Sequence, residues 1–398
     1  MRLPSFPATA TQLGPSTSDS TVHLFFTDDT FVSNGLPRPG VPFLCGQDME
    51  LVPAPNEFLR YIAIIRGRTR APKTWKTYAE HLYEFFSFLE ANSWSWASAE
   101  IGHIVAWRDE MLERGCSRHT ANQRMRCVSA FYAWAARTNR SHTLRFTTHD
   151  VWVDKPRGFL AHVDATGGRV EANELTLRTH TRVQKFLHMD RTIQFLEATS
   201  PRTLTLMGYL ALLTGMRREE IIGLDYRVVP NPAGHDPKKQ LRMLLDPTIT
   251  PTKGSTERFV MLPFDLAVAL WDYFCREWPK RHALYARKND GASTTRFFLS
   301  ALGDHFSIKH LNNAFAKVSA RTGIQCHPHM LRHTFGTYEL MRMSKKHGES
   351  KALLWVRDRM GHSSITTTER YIHAADLVAN DEVDGYQTDL CLALRRGH

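Results

Sequence analysis

Three histidines and one arginine fall within seven residues of the stretch "HPHMLRHTFGT", 327–337. Pro328 suits the first turn of a helix, and His329, Arg332 and His333 then share one face at i, i+3 and i+4. Two histidines four apart have the spacing of a zinc-binding helix. The residue after the first is Met330, however, not the glutamate that a hydrolytic zinc motif supplies. Arg332 between them would also repel a cation. Donors converging at a helix N-terminus, where backbone amides and the dipole add to them, favour an anion such as phosphate. A satisfied histidine core is the competing reading.

Three further motifs carry chemistry. In "TGMRREEIIGL", 214–224, Gly215 breaks one helix and Arg217 opens the next, with Glu220 one turn later to orient the guanidinium. Such an arginine can fork onto two phosphate oxygens, although a structural Arg–Glu pair is the commoner meaning of that spacing. Lys253 in "TKGSTER" lies at the turn between two expected strands, 241–246 and 258–262. A lysine there either meets solvent or enters a groove and protonates a leaving oxygen. In "LLWVRDRMGHSSITTTERYIH", 353–373, Leu353, Val356 and Met360 face a core and Gly361 stops the helix. Thr366 and Glu369 cap a new helix, leaving His362 at the corner and Tyr371 in the second turn, as a structural residue or a nucleophile.

In order, these motifs resemble the tyrosine recombinase (phage integrase) family. The family's catalytic domain carries an arginine after a Thr-Gly turn, a hairpin lysine, a His-x-x-Arg helix followed by His, a Gly-His corner and a tyrosine nine residues beyond. Arg217, Lys253, His329, Arg332, His362 and Tyr371 supply these in that order, and the resemblance spans 185–380. It implies that Tyr371 attacks a DNA phosphodiester, leaving a 3′-phosphotyrosine and a free 5′-hydroxyl. Arg217 and Arg332 would clamp the non-bridging oxygens with help from His329 and His362. His329 would take the phenol proton and Lys253 would protonate the leaving oxygen. Glu220 and His333 would support the arginine and the helix. No metal or other cofactor is implied, because the arginines carry the charge that a metal ion would otherwise supply.

The resemblance also implies double-stranded DNA as partner and a tetramer on paired sites. Accessory proteins would assist, and the products would be those of integration, excision or transposition of a mobile element. Residues 374–398, with Leu390, Leu392 and Leu394, would dock onto a neighbouring subunit. The segment between Arg332 and His362, with its basic "SKKHGES", looks longer than in compact family members. Three alternatives stay open at this level: a topoisomerase of type IB that only relaxes DNA, a regulator built on an inactive recombinase fold, and a zinc hydrolase.

The patterning reads as a mainly α protein with a small antiparallel β-sheet, and the resemblance implies a helical core-binding domain followed by an α+β tyrosine recombinase catalytic domain. The expected boundaries are an N-terminal arm (1–52), the helical domain (53–145), a linker (146–184), the catalytic domain (185–385) and a tail (386–398). Trp75, Tyr78, Leu82, Phe85, Phe86 and Leu89 recur at helical spacing over 74–90, and further helices are expected near 100–114 and over 118–137. Basic residues cluster beside the helix starts: Arg68, Arg70, Lys73 and Lys76, then Arg118, Arg124 and Arg126. They are candidate phosphate contacts or a solvated face, and helix 118–137 is a candidate groove reader. Lys plus Arg outnumber Asp plus Glu by 51 to 40, which suits a polyanionic partner. The six cysteines are scattered without a Cys-x-x-Cys pair, pointing to a reducing cytoplasm, and the resemblance implies a nucleoid-associated setting within it. No signal-peptide core is present and no apolar run reaches the ~20 residues of a membrane span.

Overall fold

The computed structural model describes residues 22–66, 72–140, 142–146, 148–153, 168–179, 185–250, 257–361, 368, 371 and 386–396. By contact the chain divides into two compact units, Met1–Asp154 with Gly167–Thr181, and Lys155–Thr166 with Arg182–His398. Among the described residues the architecture is mainly α, with strands only in antiparallel pairs. No described helix is long and apolar enough to cross a membrane.

The first unit is built on α1 (Pro53–Arg60), α2 (Pro72–Ala91), α3 (Ile101–Glu113) and α4 (Arg118–Arg137). Ala79, Leu82, Phe85, Phe86 and Leu89 form the buried stripe of α2. Helix α4 starts where the Ser117 hydroxyl accepts the Thr120 amide at 3.1 Å, and it buries Met125, Val128, Phe131 and Ala135. Trp107 of α3 is fully buried, its ring 5.0 Å from that of Phe85. Trp107→Ala should therefore destabilise this unit by about 3–5 kcal/mol, read as a lower urea midpoint with an unchanged slope. A cost below about 1 kcal/mol would mean that the helices close over the gap.

Two expectations need correction here. Residues 22–52 are not an irregular arm. Strand β1 (His23–Phe26) pairs with β4 (Pro42–Cys45), and β2 (Val32–Ser33) pairs with β3 (Leu36–Pro37). Val22, Leu24 and Leu44 join the helical core, and the Asn56 side chain of α1 accepts from Leu44 N and donates to Leu44 O, both at 2.7 Å. Nor is 146–184 only a linker: β5 (Thr148–Val153) pairs with β6 (Gly168–Asn173). Leu175 and Leu177 then pack on the helical core, and Asn122 of α4 holds Leu177 by its N–H (2.9 Å) and carbonyl (2.8 Å). In both places one asparagine satisfies backbone groups from a distant segment, and local periodicity does not report that.

The second unit centres on α6 (Arg202–Thr214), buried on every side from Leu206 to Thr214. Against it lie α5 (Met189–Glu197), α7 (Arg218–Ile222), α8 (Phe264–Arg276) and α11 (Pro328–His347), while α9 (Trp278–Lys288) packs on α8, and α10 (Ile308–Thr322) and α12 (Glu349–Met360) pack on α11. Strands β7 (Leu241–Leu245) and β8 (Arg258–Leu262) form the expected antiparallel pair, with Leu241 opposite Leu262 and Leu245 opposite Arg258. The basic "SKKHGES" stretch is the last turn of α11, where Lys345, Lys346 and His347 meet the negative end of the helix dipole, followed by a turn at Gly348 (φ 81°). The last described helix, Tyr386–Arg396, corrects the expectation of a separate tail. It packs on α5 and α8, and Leu390 and Leu394 are buried in the core of their own unit, while Leu392 stays 43% exposed.

Candidate active site

Two glycines set the frame. Gly215 ends α6 at φ 65°, and a Cβ there would stand 2.5 Å from the Phe335 ring, so no larger residue fits the turn. Gly361 ends α12 at φ 63°. The turn at Gly215 delivers Arg217 to the start of α7, where its backbone N–H donates to Glu220 Oε2 at 2.7 Å and its Nη1 to Oε1 at 3.1 Å.

Three guanidinium groups then meet three consecutive carbonyls at the end of α12. Arg258 Nε donates to Arg359 O at 3.2 Å, Arg332 Nη2 to Met360 O at 2.6 Å, and Arg217 Nη2 to Gly361 O at 2.6 Å. Arg332 Nη1 also donates to Gly215 O. The last carbonyls of a helix lack intrahelical donors and carry the negative end of its dipole, so cations satisfy them well.

Glu220 is fully buried beneath this group and takes a two-pronged contact from Arg258, at 2.8 and 2.5 Å. Burial alone would raise its carboxyl, but Arg258 and Arg217 together outweigh that and hold it below the usual carboxylate range. Arg332 is 2% exposed, and burial followed by the nearby Arg217 charge lowers it to about 9. It stays a cation at neutral pH.

Helix α11 stacks His329 and His333 edge to face, with ring centroids 4.4 Å apart. His333 Nδ1 lies 2.9 Å from Tyr371 Oη, so with its proton on Nε2 the ring accepts from the phenol. Tyr371 is 2% exposed, within a small core of Phe335, Met343, Leu353, Val356 and Met360. Gly336 makes room for the ring, since a Cβ there would come 2.9 Å from Tyr371 Cε1 and Cζ.

Loss of hydration lowers His333 to about 3, reinforced by His329 and Arg332. Loss of hydration and then Arg332 lower His329 to about 4. An unfolded chain binds these protons near 6.5, whereas the fold refuses them until far lower pH. Stability is thus fully present above about 6.5 and falls as pH drops from there towards 3. His333→Gln should flatten that fall when urea midpoints are compared between pH 7 and pH 4.5. An identical slope in the variant would assign the acid sensitivity to other groups.

The structure thus brings Arg217, Glu220, Arg332, His333 and Tyr371 together, with His329 alongside His333. The ring at Tyr371 Oη is His333 and not the expected His329, because His333 sits one turn further along α11, beside the core that holds the tyrosine. Lys253, His362 and the Thr366–Glu369 cap lie outside the described residues.

Arg258 was not anticipated. Its signal is the two-residue period of β8, in which Val260 and Leu262 point inward and Arg258 shares their phase. In the helical unit, Lys73, Lys76, Arg118 and Arg126 are exposed, and Arg68 and Arg70 lie outside the described residues. Arg124 departs from the expected surface role: its guanidinium is spent on Glu84 of α2 at 3.1 Å and is largely shielded.

Residues 178–377 match the Phage integrase family, and residues 56–139 match the Phage integrase N-terminal SAM-like domain. The chain belongs to the phage integrase family. It is thus a tyrosine recombinase, an enzyme of the site-specific recombinase class. A tyrosine recombinase XerC from Serratia marcescens is 30% identical over 161 residues, 40% of this chain and 44% of that protein. The XerC of Escherichia coli O9:H4 (strain HS) is 23% identical over 322 residues, 80% of this chain and 90% of that one.

Among solved structures, the XerH recombinase bound to palindromic difH substrate covers 81% of this chain and 82% of its own, with a TM-score of 0.53 and 16% identity. The Tn1549 transposon integrase with a circular intermediate DNA covers 77% and 91%, with a TM-score of 0.51 and 20% identity. At these identities the likeness speaks to the fold, which this recombinase shares.

Proposed function

We propose that this recombinase cuts and rejoins double-stranded DNA through a 3′-phosphotyrosine on Tyr371. The observation that carries the reading is the phenol of Tyr371 hydrogen-bonded to a neutral His333, in the same cluster as Arg332 and Arg217. An unperturbed tyrosine ionises near 10, so attack at neutral pH needs a base in contact and positive charge nearby. His333 Nδ1 takes the proton as Oη attacks phosphorus. Arg217 and Arg332 exchange their neutral carbonyl acceptors for the non-bridging oxygens, whose growing charge binds them more strongly. His329 and His362 are further donors to the phosphate, and Lys253 gives the 5′ oxygen its proton. The small core around Tyr371 must open when DNA engages, with Oη kept in reach of His333 Nδ1, since a phosphodiester cannot reach a phenol and a guanidinium that are each 2% exposed.

Exposed Lys73, Lys76, Arg118 and Arg126, with Arg68 and Arg70, contact phosphates, so affinity falls steeply with salt. DNA in the XerH and Tn1549 complexes, and in that of a lambda integrase dimer on its core site, supports this partner. The active assembly is a tetramer on paired sites that moves a mobile element with accessory proteins in a cytoplasmic, nucleoid-associated setting.

The test is covalent capture. The protein is incubated with nicked suicide duplexes made from its source DNA, denatured and digested, and the adducted peptide is sequenced. A 3′-phosphonucleotide on Tyr371 is the expected result. Tight DNA binding without any covalent species would favour a regulator on an inactive fold, and relaxation without strand exchange a topoisomerase.

A further inference from the structure

We infer that Arg258, which takes no part in the chemistry above, is a positioning residue. It locks Glu220 against Arg217 and clamps the end of α12, so that both phosphate-binding arginines are held in place before substrate arrives. The inference rests on the recombinase reading of Arg217 and Arg332.

Arg258 spends every face of its guanidinium. Nη1 and Nη2 take the two oxygens of Glu220 at 2.8 and 2.5 Å, and Nε takes Arg359 O at 3.2 Å. Its side chain is 6% exposed and its carboxylate partner 0%, and its charge is already matched by Glu220, whereas Arg332 donates only to neutral carbonyls. The next two carbonyls of the same helix end hold Arg332 and Arg217 at 2.6 Å each. Whatever moves the end of α12 therefore moves both arginines. The fit depends on Gly361, where a Cβ would stand 3.0 Å from Arg258 Cδ and 3.2 Å from its Nε.

Along the chain, Arg258 opens β8 five residues after Lys253, and Gly361 immediately precedes His362. One buried side chain thus ties the segments that follow the lysine and precede the histidine to the Arg217 turn. A lysine at 258 would keep the charge but has a single ammonium, which cannot fork onto Glu220 and also reach α12.

The experiment compares wild type, Arg258→Lys, Arg258→Met, Glu220→Gln and the Glu220→Gln/Arg258→Met double variant. Single-turnover cleavage of a suicide duplex, DNA affinity, thermal melting and hydrogen exchange at the end of α12 are measured on each full chain. Arg258→Lys should fold and bind DNA like wild type, cleave about 10- to 100-fold more slowly, and exchange faster over 356–361 but not over α10. The double variant should be no slower than the worse single variant, because both act through one unit.

Wild-type cleavage by Arg258→Lys, or losses that multiply in the double variant, would overturn the inference. Should wild type form no covalent adduct, the recombinase chemistry fails on its own account. Hydrogen exchange then still decides whether Arg258 clamps α12, and unchanged exchange would end that idea too.

Discussion

Tyr371→Phe should abolish covalent DNA capture while leaving DNA affinity and thermal stability close to wild type. The substitution removes one oxygen from a ring that is otherwise packed among Phe335, Val356 and Met360 and cradled by Gly336. The folded state loses the hydrogen bond to His333 Nδ1, worth about 0.5–1.5 kcal/mol, and no apolar contact. The chemistry loses its nucleophile, for which neither His333 nor the arginines can substitute. On a denaturing gel the adduct should fall below detection while mobility shifts of the native complex persist. An adduct at wild-type level would move the nucleophile elsewhere. Tyr386, the next tyrosine along the chain, is poorly suited. Its hydroxyl donates to the buried carboxylate of Glu339, and burial followed by that charge raises its pKa well above the ordinary value.

Arg332→Ala should slow cleavage by roughly a hundredfold to a thousandfold, about 3–4 kcal/mol of lost transition-state stabilisation. DNA affinity should change far less, because one phosphate contact among many is lost. This substitution also has a structural cost. It strands Gly215 O and Met360 O, and a buried polar group left unpaired costs about 1–3 kcal/mol. The rate must therefore be taken per folded, DNA-bound molecule in a single turnover. Arg332→Lys separates the two effects, since it keeps a cation but can serve only part of the two-carbonyl geometry. Cleavage by Arg332→Ala within about threefold of wild type, on that basis, would remove Arg332 from the phosphate clamp.

Much of the site was legible from short stretches because its frame is local. Gly215 and Gly361 mark helix ends whose left-handed backbone glycine adopts without strain. Pro328 announces the start of α11, and unbroken apolar residues announce the buried α6. The alternation of β7 and β8 is complete within five residues each. Where the expectations failed, the deciding contact was distant. The edge strand β4 is held by the Asn56 side chain, the stretch after β6 by Asn122, and Arg124 is turned inward by Glu84.

By itself, the sequence determined which residues could carry charge and nucleophilic chemistry, the order in which they occur, and the helix ends that hold Arg217, His329 and Arg332. Tertiary structure decided the pairings. His333, not His329, meets Tyr371 across 38 residues of chain, and Arg217 reaches Gly361 across 144. It also chose Arg258 as the partner of Glu220 and seated the last described helix on its own core. The physical reason is one of range. Helix stops, strand alternation and spacing on a face follow from backbone geometry over a few residues. The partner of a buried hydrogen-bonding group is set by which distant surfaces close over it.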